Sequence, residues 1–231
     1  MGEKRRWQCL DGTTLKLIAM ASMVFDHVGD SFFPGQVWMR AIGRMALPIF
    51  AFCVAEGYGH THDKRRYLLR MGLFACVSEV PFDLVAAGVP LEFSHQNVMA
   101  TFFWAILGLL CSEGLVRDGS SKARKAGGAA VLVLFAVLSV ALGLDYHMLG
   151  VGLVFVYHLP RDKALAVRNA AAAGYHVLTR NVGIHWFGLL GFAPPLPLRR
   201  GARARAEVAV LRLLSGTPPS HLPAAACRGV D

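Results

Sequence analysis

A chain whose apolar residues come in blocks of bilayer length has few folds open to it. Such blocks recur here at 15–33, 39–58, 67–88, 97–116 and 126–144, with shorter ones at 147–159, 164–178 and 183–198. About 20 predominantly apolar residues suffice to cross a hydrocarbon core as a helix. The expected fold is all-α, a polytopic transmembrane bundle of about six to eight spans. Composition agrees, with 55% of the 231 residues hydrophobic and 17% charged, where a soluble domain carries about 25% charged residues.

The net charge of +9 raises the question of nucleic acid or lipid as partner. The positions of the charges decide it. Lys4, Arg5 and Arg6 precede the first block, and Lys64, Arg65 and Arg66 fill the second connection. Arg117, Lys122, Arg124 and Lys125 lie in the fourth, and Arg161, Lys163 and Arg168 in the sixth. The intervening connections hold Arg40 in the first, no Lys or Arg in the third and fifth, and Arg180 in the seventh. Alternation of this kind follows the positive-inside rule and puts the N-terminus in the cytoplasm. It accounts for the basicity through topology and contacts with membrane lipids. No basic stretch is interleaved with stacking aromatics, so no nucleic acid partner is expected. The first block carries charges and lacks a small-residue cleavage site, so it reads as a retained helix.

Cys9, Cys53, Cys76, Cys111 and Cys227 are scattered without the spacing of a metal site, and no metal is expected. Residues 1–192 read as a single membrane domain. The tail, 193–231, differs: it holds six of the eleven prolines and six arginines, with no lysine, aromatic residue or isoleucine. It is expected to be disordered or the product of a shifted reading frame. The nucleotide sequence decides the second possibility, which requires a long apolar, aromatic-rich reading in another frame.

Against this apolar background the ionisable residues stand out. "MVFDHVGDSFF" puts Asp26, His27 and Asp30 inside the first block, where a charge costs about 2.5–3.5 kcal/mol on insertion scales. Asp26 and Asp30 share a helix face, and His27 and Asp30 are three apart. With the first span running outward and the second inward, Arg44 falls at a depth similar to that of Asp26 and is expected to pair with Asp26 or Asp30. Glu79 and Asp83 form another i, i+4 pair, Asn97 opens the fourth span, and Asp145, Tyr146 and His147 mark the turn after the fifth. All converge on the outer half of the bilayer. They fit a functional cavity, and the carboxylates with Arg44 equally fit structural ion pairs that hold helices in register. Glu56, His60 and His62 form a second group at the inner end of the second span, with the two histidines in a wet loop. His158, His176, His185 and His221 have no partner pattern.

At these residues the chain resembles the TraX family, named for a conjugation protein that N-acetylates pilin. The matching stretches are "LKLIAMASMVFDHVGDSFF", "RAIGRMALPIFAFCVAEGYGHTHDKRRYLLR", "FACVSEVPFDL", "QNVMATFFWAILGLL" and, more weakly, "DYHMLGVGLVFVYHL", within residues 13–160. The resemblance implies a multi-pass acyltransferase of the bacterial inner membrane. It would move an acyl group from acetyl-CoA or another acyl-CoA to a pilin-like protein or a small amine. By analogy with other multispan acyltransferases, His27 is the catalytic base and Asp26 or Asp30 orients it and stabilises its imidazolium. Arg44 would bind an anionic group or steady the oxyanion. Two other classes stay open: a proton-coupled transporter using Asp26, His27, Glu79 and Asp83 as a relay, and a non-catalytic membrane component of a conjugation or pilus system. The transporter class predicts an internal repeat with paired broken helices, and none is visible.

Overall fold

The computed structural model describes residues 12–33, 35–86, 88–90, 92, 94–116, 121–179 and 183–192. Two compact units are distinguished, Leu15–Pro195 and Met1–Thr14 with Leu196–Asp231. Of the latter only the opening turn of the first helix is described, so the tail expectations lie outside the described residues.

The described residues are all-helical, in the order α1 (Gly12–Phe32), α2 (Val37–Gly43), α3 (Ala46–His60), α4 (Lys64–Ala86), α5 (Val98–Leu115), α6 (Lys122–Ala141), α7 (His147–His158), α8 (Leu165–Thr179) and a 3₁₀ segment, Gly183–Phe192. Several helix starts follow from local sequence. Asn97 caps α5 by accepting from the N–H groups of Met99 and Ala100, Ser121 accepts from Arg124 N–H at α6, and Asp63 accepts from Arg66 N–H at α4. Such caps satisfy donors that the first helical turn leaves open.

The expected second span, 39–58, is not one helix. It breaks at Arg44 and Met45, where Met45 N–H turns back to the carbonyl of Ile42. Pro48 explains the break. It has no N–H for the carbonyl of Arg44, and its ring crowds that carbonyl. The break leaves Arg44 between the two helices.

Helix α7 forms the centre. Its twelve residues are almost all buried, Leu149 through Phe155 together with Tyr157 and His158, and it packs against α3, α5, α6 and α8. A helix that is apolar on every side belongs in a core. At 1.5 Å per residue it reaches only about 18 Å, well short of a bilayer core of about 30 Å. Around it, Phe50, Ala51, Val54 and Ala55 of α3 and Phe102, Ala105, Ile106 and Leu109 of α5 complete the apolar interior. Outward-facing residues are also apolar, including Leu69, Leu73, Phe74 and Val77 of α4 and Val133, Leu134 and Val137 of α6. A soluble monomer rarely exposes so much apolar surface. Three stretches, Val37–His60, Val98–Leu115 and Lys122–Ala141, are long and apolar enough to cross a membrane.

Candidate functional site

Helix α1 meets α2 through small groups. Ser22 Oγ donates to the carbonyl of Ile42 at 2.5 Å, and Gly43 lies directly against Asp26. A Cβ on Gly43 would stand 2.2 Å from Asp26 Cβ and 2.9 Å from its Cα. This approach carries Asp26 to the arginines. Arg44 Nη1 lies 3.7 Å from Asp26 Oδ2, Arg40 Nε lies 3.7 Å from Oδ1, and Arg40 also pairs with Asp30. The expected pairing of Arg44 with Asp26 is present, whereas Asp30 pairs with Arg40, which in sequence counted only among the charges of the first connection. Asp26 and Arg44 are largely buried, with 15% and 12% of their side chains exposed.

Gly43→Ala is therefore expected to push α1 from α2 and cost about 1–3 kcal/mol, the usual range for overpacking. Gly127→Ala, in α6 with nothing within 4 Å of the added methyl, should be neutral or gain up to about 1 kcal/mol. Denaturation midpoints of the two variants in one detergent check the contrast. Equal stabilities would contradict the close α1–α2 packing.

The turn between α6 and α7 completes the group. Arg44 Nη1 donates to the Tyr146 hydroxyl at 3.1 Å. Tyr146 and His147 adopt φ of 58° and 45°, a conformation that non-glycine residues enter at a cost of about 1–3 kcal/mol each. The surroundings hold them there. Asp145 N–H donates to Gln96 O at 3.1 Å, Thr101 Oγ donates to Asp145 O at 2.8 Å, and His147 N–H donates to Leu144 O at 3.0 Å. Burial pushes the Asp145 carboxyl up to about 6, against the opposing pull of Tyr146 N–H, Arg44 and His27. His27 thus lies within electrostatic reach of Asp145, but its ring is exposed on α1 and makes no hydrogen bond among the described residues.

The other acidic residues at this end play different parts. Glu79 accepts from the Asn97 side chain and, at 3.4 Å, from its backbone N–H. Asn97 also donates to Ala75 O at 2.9 Å, tying α4 to the cap of α5. Asp83 is buried and accepts Glu92 N–H at 2.8 Å, fixing the connection after α4. Neither makes a side-chain contact with Asp26 or Arg44 among the described residues. Several buried polar atoms at this end lack a hydrogen bond: Asp26 Oδ1, Arg40 Nε, Arg44 Nε, Glu79 Oε1 and His147 Nδ1. Buried polar groups are almost always bonded, and five of the seven such atoms among the described residues gather at this end.

Glu56 and His60 lie at the opposite end. Glu56 pairs with Arg168 Nη2 at 2.6 Å, and His60 Nδ1 contacts the Glu56 carbonyl at 2.8 Å. The same end contains a cluster that the sequence did not announce, in which Glu113 meets Tyr58, Lys64 and His158. Among the described residues no three His, Cys, Asp or Glu side chains are arranged to hold a metal ion.

The fold and this polar group in an apolar bundle define a helical membrane protein. The chain belongs to the TraX family, whose model, described as TraX protein, matches residues 11–196. The match runs beyond residue 160, where the sequence resemblance fades, and takes in α8 and the 3₁₀ segment. The chain is also similar to a probable fimbrial assembly protein FimC, serogroup H1, of Dichelobacter nodosus. The two are 26% identical over 172 residues, 69% of this chain and 67% of that one. No solved structure matches.

Proposed function

We propose that this protein is a membrane N-acyltransferase, moving an acyl group from acetyl-CoA or another acyl-CoA to the amine of a pilin-like protein or a small molecule. The observation that carries the reading is the buried Asp26–Arg44–Tyr146 group, with His27 the next residue on α1. An amine must lose a proton as it attacks a thioester, and an imidazole free of hydrogen bonds is suited to take it. Arg44 and the Tyr146 hydroxyl are donors for the oxyanion that forms on the thioester carbonyl. Family membership and the fimbrial assembly relative favour a pilus-type acceptor.

The interior weighs against a proton-coupled transporter. The Asp26 group and the Glu113 cluster lie at opposite ends of α5, about 24 Å apart from Asn97 to Glu113 at 1.5 Å per residue. Phe102, Ala105, Ile106, Leu109, Val151, Leu153 and Val154, all at most 1% exposed, fill the space between. A relay needs polar groups along that path.

In this reading the protein is a multi-pass protein of the bacterial inner membrane, and its basic end, with Lys64 and Arg161, faces the cytoplasm. A single cysteine at Asp63→Cys, on a background without the native cysteines, should resist an impermeant thiol reagent in intact spheroplasts. It should react once they are opened, and labelling from outside would reverse the topology. The function itself is tested by incubating purified protein with labelled acyl-CoA and an amine. Transfer that falls in Asp26→Asn supports it, and no transfer by the intact protein overturns it.

A further inference from the structure

The end of the bundle away from Asp26 holds a second group of reactive side chains, built from four helices. Glu113, in the last turn of α5, accepts from Tyr58 Oη of α3 at 2.8 Å and Lys64 Nζ of α4 at 2.5 Å. Its other oxygen lies 3.1 Å from His158 Nε2, at the end of α7. A carboxylate bonded to Lys64 and Tyr58 is an acceptor alone. The His158 nitrogen facing it therefore carries the proton, and the lone pair of the neutral ring falls on Nδ1. That atom is buried and has no hydrogen-bond partner, in a side chain only 6% exposed. The ring stands edge-on to Tyr58 with centroids 5.0 Å apart, which holds its orientation.

An imidazole fixed through one nitrogen by a carboxylate, with the other nitrogen unengaged, has the arrangement of an activated nucleophile. Its cover is thin on one side. Gly59 lies at the exposed end of α3, and a Cβ there would stand 4.0 Å from Nδ1. Only hydrogen at that position separates Nδ1 from the exposed face of Gly59. Lys64 and Arg161 lie within electrostatic reach of the ring, and Arg65, Arg66 and Lys163 are exposed at the start of α4 and after α7, Arg66 paired with Asp63 and Lys163 with Asp162. Their charge favours an anionic molecule.

We propose that His158 is an acyl-accepting residue for an anionic acyl thioester approaching from the basic end, and that this end by itself hydrolyses such thioesters slowly. Nδ1 attacks the thioester carbonyl carbon, a C–N bond forms, the C–S bond breaks and the thiolate leaves. The Nε2–H stays bonded to the Glu113 carboxylate, which stabilises the acyl-imidazolium, and the thiolate takes a proton from water to give the free thiol. Water then attacks the acyl carbon, giving the carboxylic acid and restoring His158. The proposal shares the thioester donor with the proposed function but uses neither its acceptor nor its residues.

The test incubates the full-length protein with radiolabelled acetyl-CoA and no amine, measures free thiol, and locates the label by mass spectrometry after rapid denaturation in the cold at neutral pH. The expected result is label on His158, lost on treatment with hydroxylamine, with thiol released in step. His158→Gln should lower both by about 10²-fold or more, and Glu113→Gln should lower both less severely. His62→Gln should change neither. Gly59→Val keeps the dyad but covers Nδ1 and should slow acylation, which guards against misreading a misfolded His158 variant. Label on Cys53, Cys76 or Cys111, no label, or thiol release unchanged in both His158→Gln and Gly59→Val overturns the proposal. Transfer to an amine is scored separately. Amine transfer without acyl-His158 defeats this inference alone, and acyl-His158 without amine transfer defeats the proposed function alone.

Discussion

His27→Gln should reduce acyl transfer to an amine by about 10²–10⁴-fold, the usual contribution of a general base. Glutamine fills nearly the same volume and hydrogen-bonds, but it cannot take a proton at neutral pH. Because the His27 ring is exposed and makes no hydrogen bond among the described residues, the substitution removes little packing. The variant should therefore insert and fold like the parent, so lost rate reports chemistry. His62→Gln, in the connection before α4, should leave the rate unchanged. Initial rates at saturating acyl-CoA, on protein matched for monodispersity, give the comparison. Retention of more than about a tenth of the activity in His27→Gln would fall outside that range and remove its assignment as the base.

The largest expected loss of stability is at Arg168→Leu. Arg168 is buried, with 8% of its side chain exposed, and bonds both Glu56 Oε1 at 2.6 Å and the Tyr157 carbonyl at 2.9 Å. It joins α8 to α3 and to the end of α7. Leucine leaves the Glu56 carboxylate buried without its counter-ion, and breaking a buried pair from one side costs about 3–5 kcal/mol. Adding Glu56→Gln removes the stranded charge, so the double variant should recover part of the loss. Denaturation in a single detergent, read by helix content, measures both. If Arg168→Leu matched the parent, the pair would be a surface contact rather than a fastener.

These residues divide clearly into what could and could not be read from the chain. The span 97–116 became α5, Val98–Leu115, because Asn97 caps it and apolar residues fill its length. Arg44 was matched to Asp26 by depth alone, since two neighbouring spans of opposite direction fix relative height. The break in the second span escaped, although Pro48 four residues after Arg44 was its signal. Tyr146 as a partner of Arg44 escaped for a different reason. The bond joins residues 102 positions apart and depends on two consecutive left-handed residues that no local propensity favours.

Glu113 shows the same limit more sharply. In sequence it is a lone acid at the end of an apolar run, with nothing to separate it from a solvated helix end. Its partners Tyr58, Lys64 and His158 lie 55, 49 and 45 positions away. Only the packing of α3, α4, α5 and α7 brings them together. His158 had no partner pattern in the sequence because its partner belongs to another helix. Asn97 is a different case: its placement among the polar residues of one end was correct, while the structure uses its side chain to cap α5 and tie it to α4.

Amine acylation at the Asp26 end is tested most directly with the purified protein in sealed vesicles of uniform orientation, with labelled acetyl-CoA supplied on both sides and an amine-bearing peptide on one. Labelled peptide is expected only when the peptide is on the side of Asp30, with the signal lost in His27→Gln. Labelled peptide formed only with the peptide on the basic side, or none in either arrangement, would overturn the assignment.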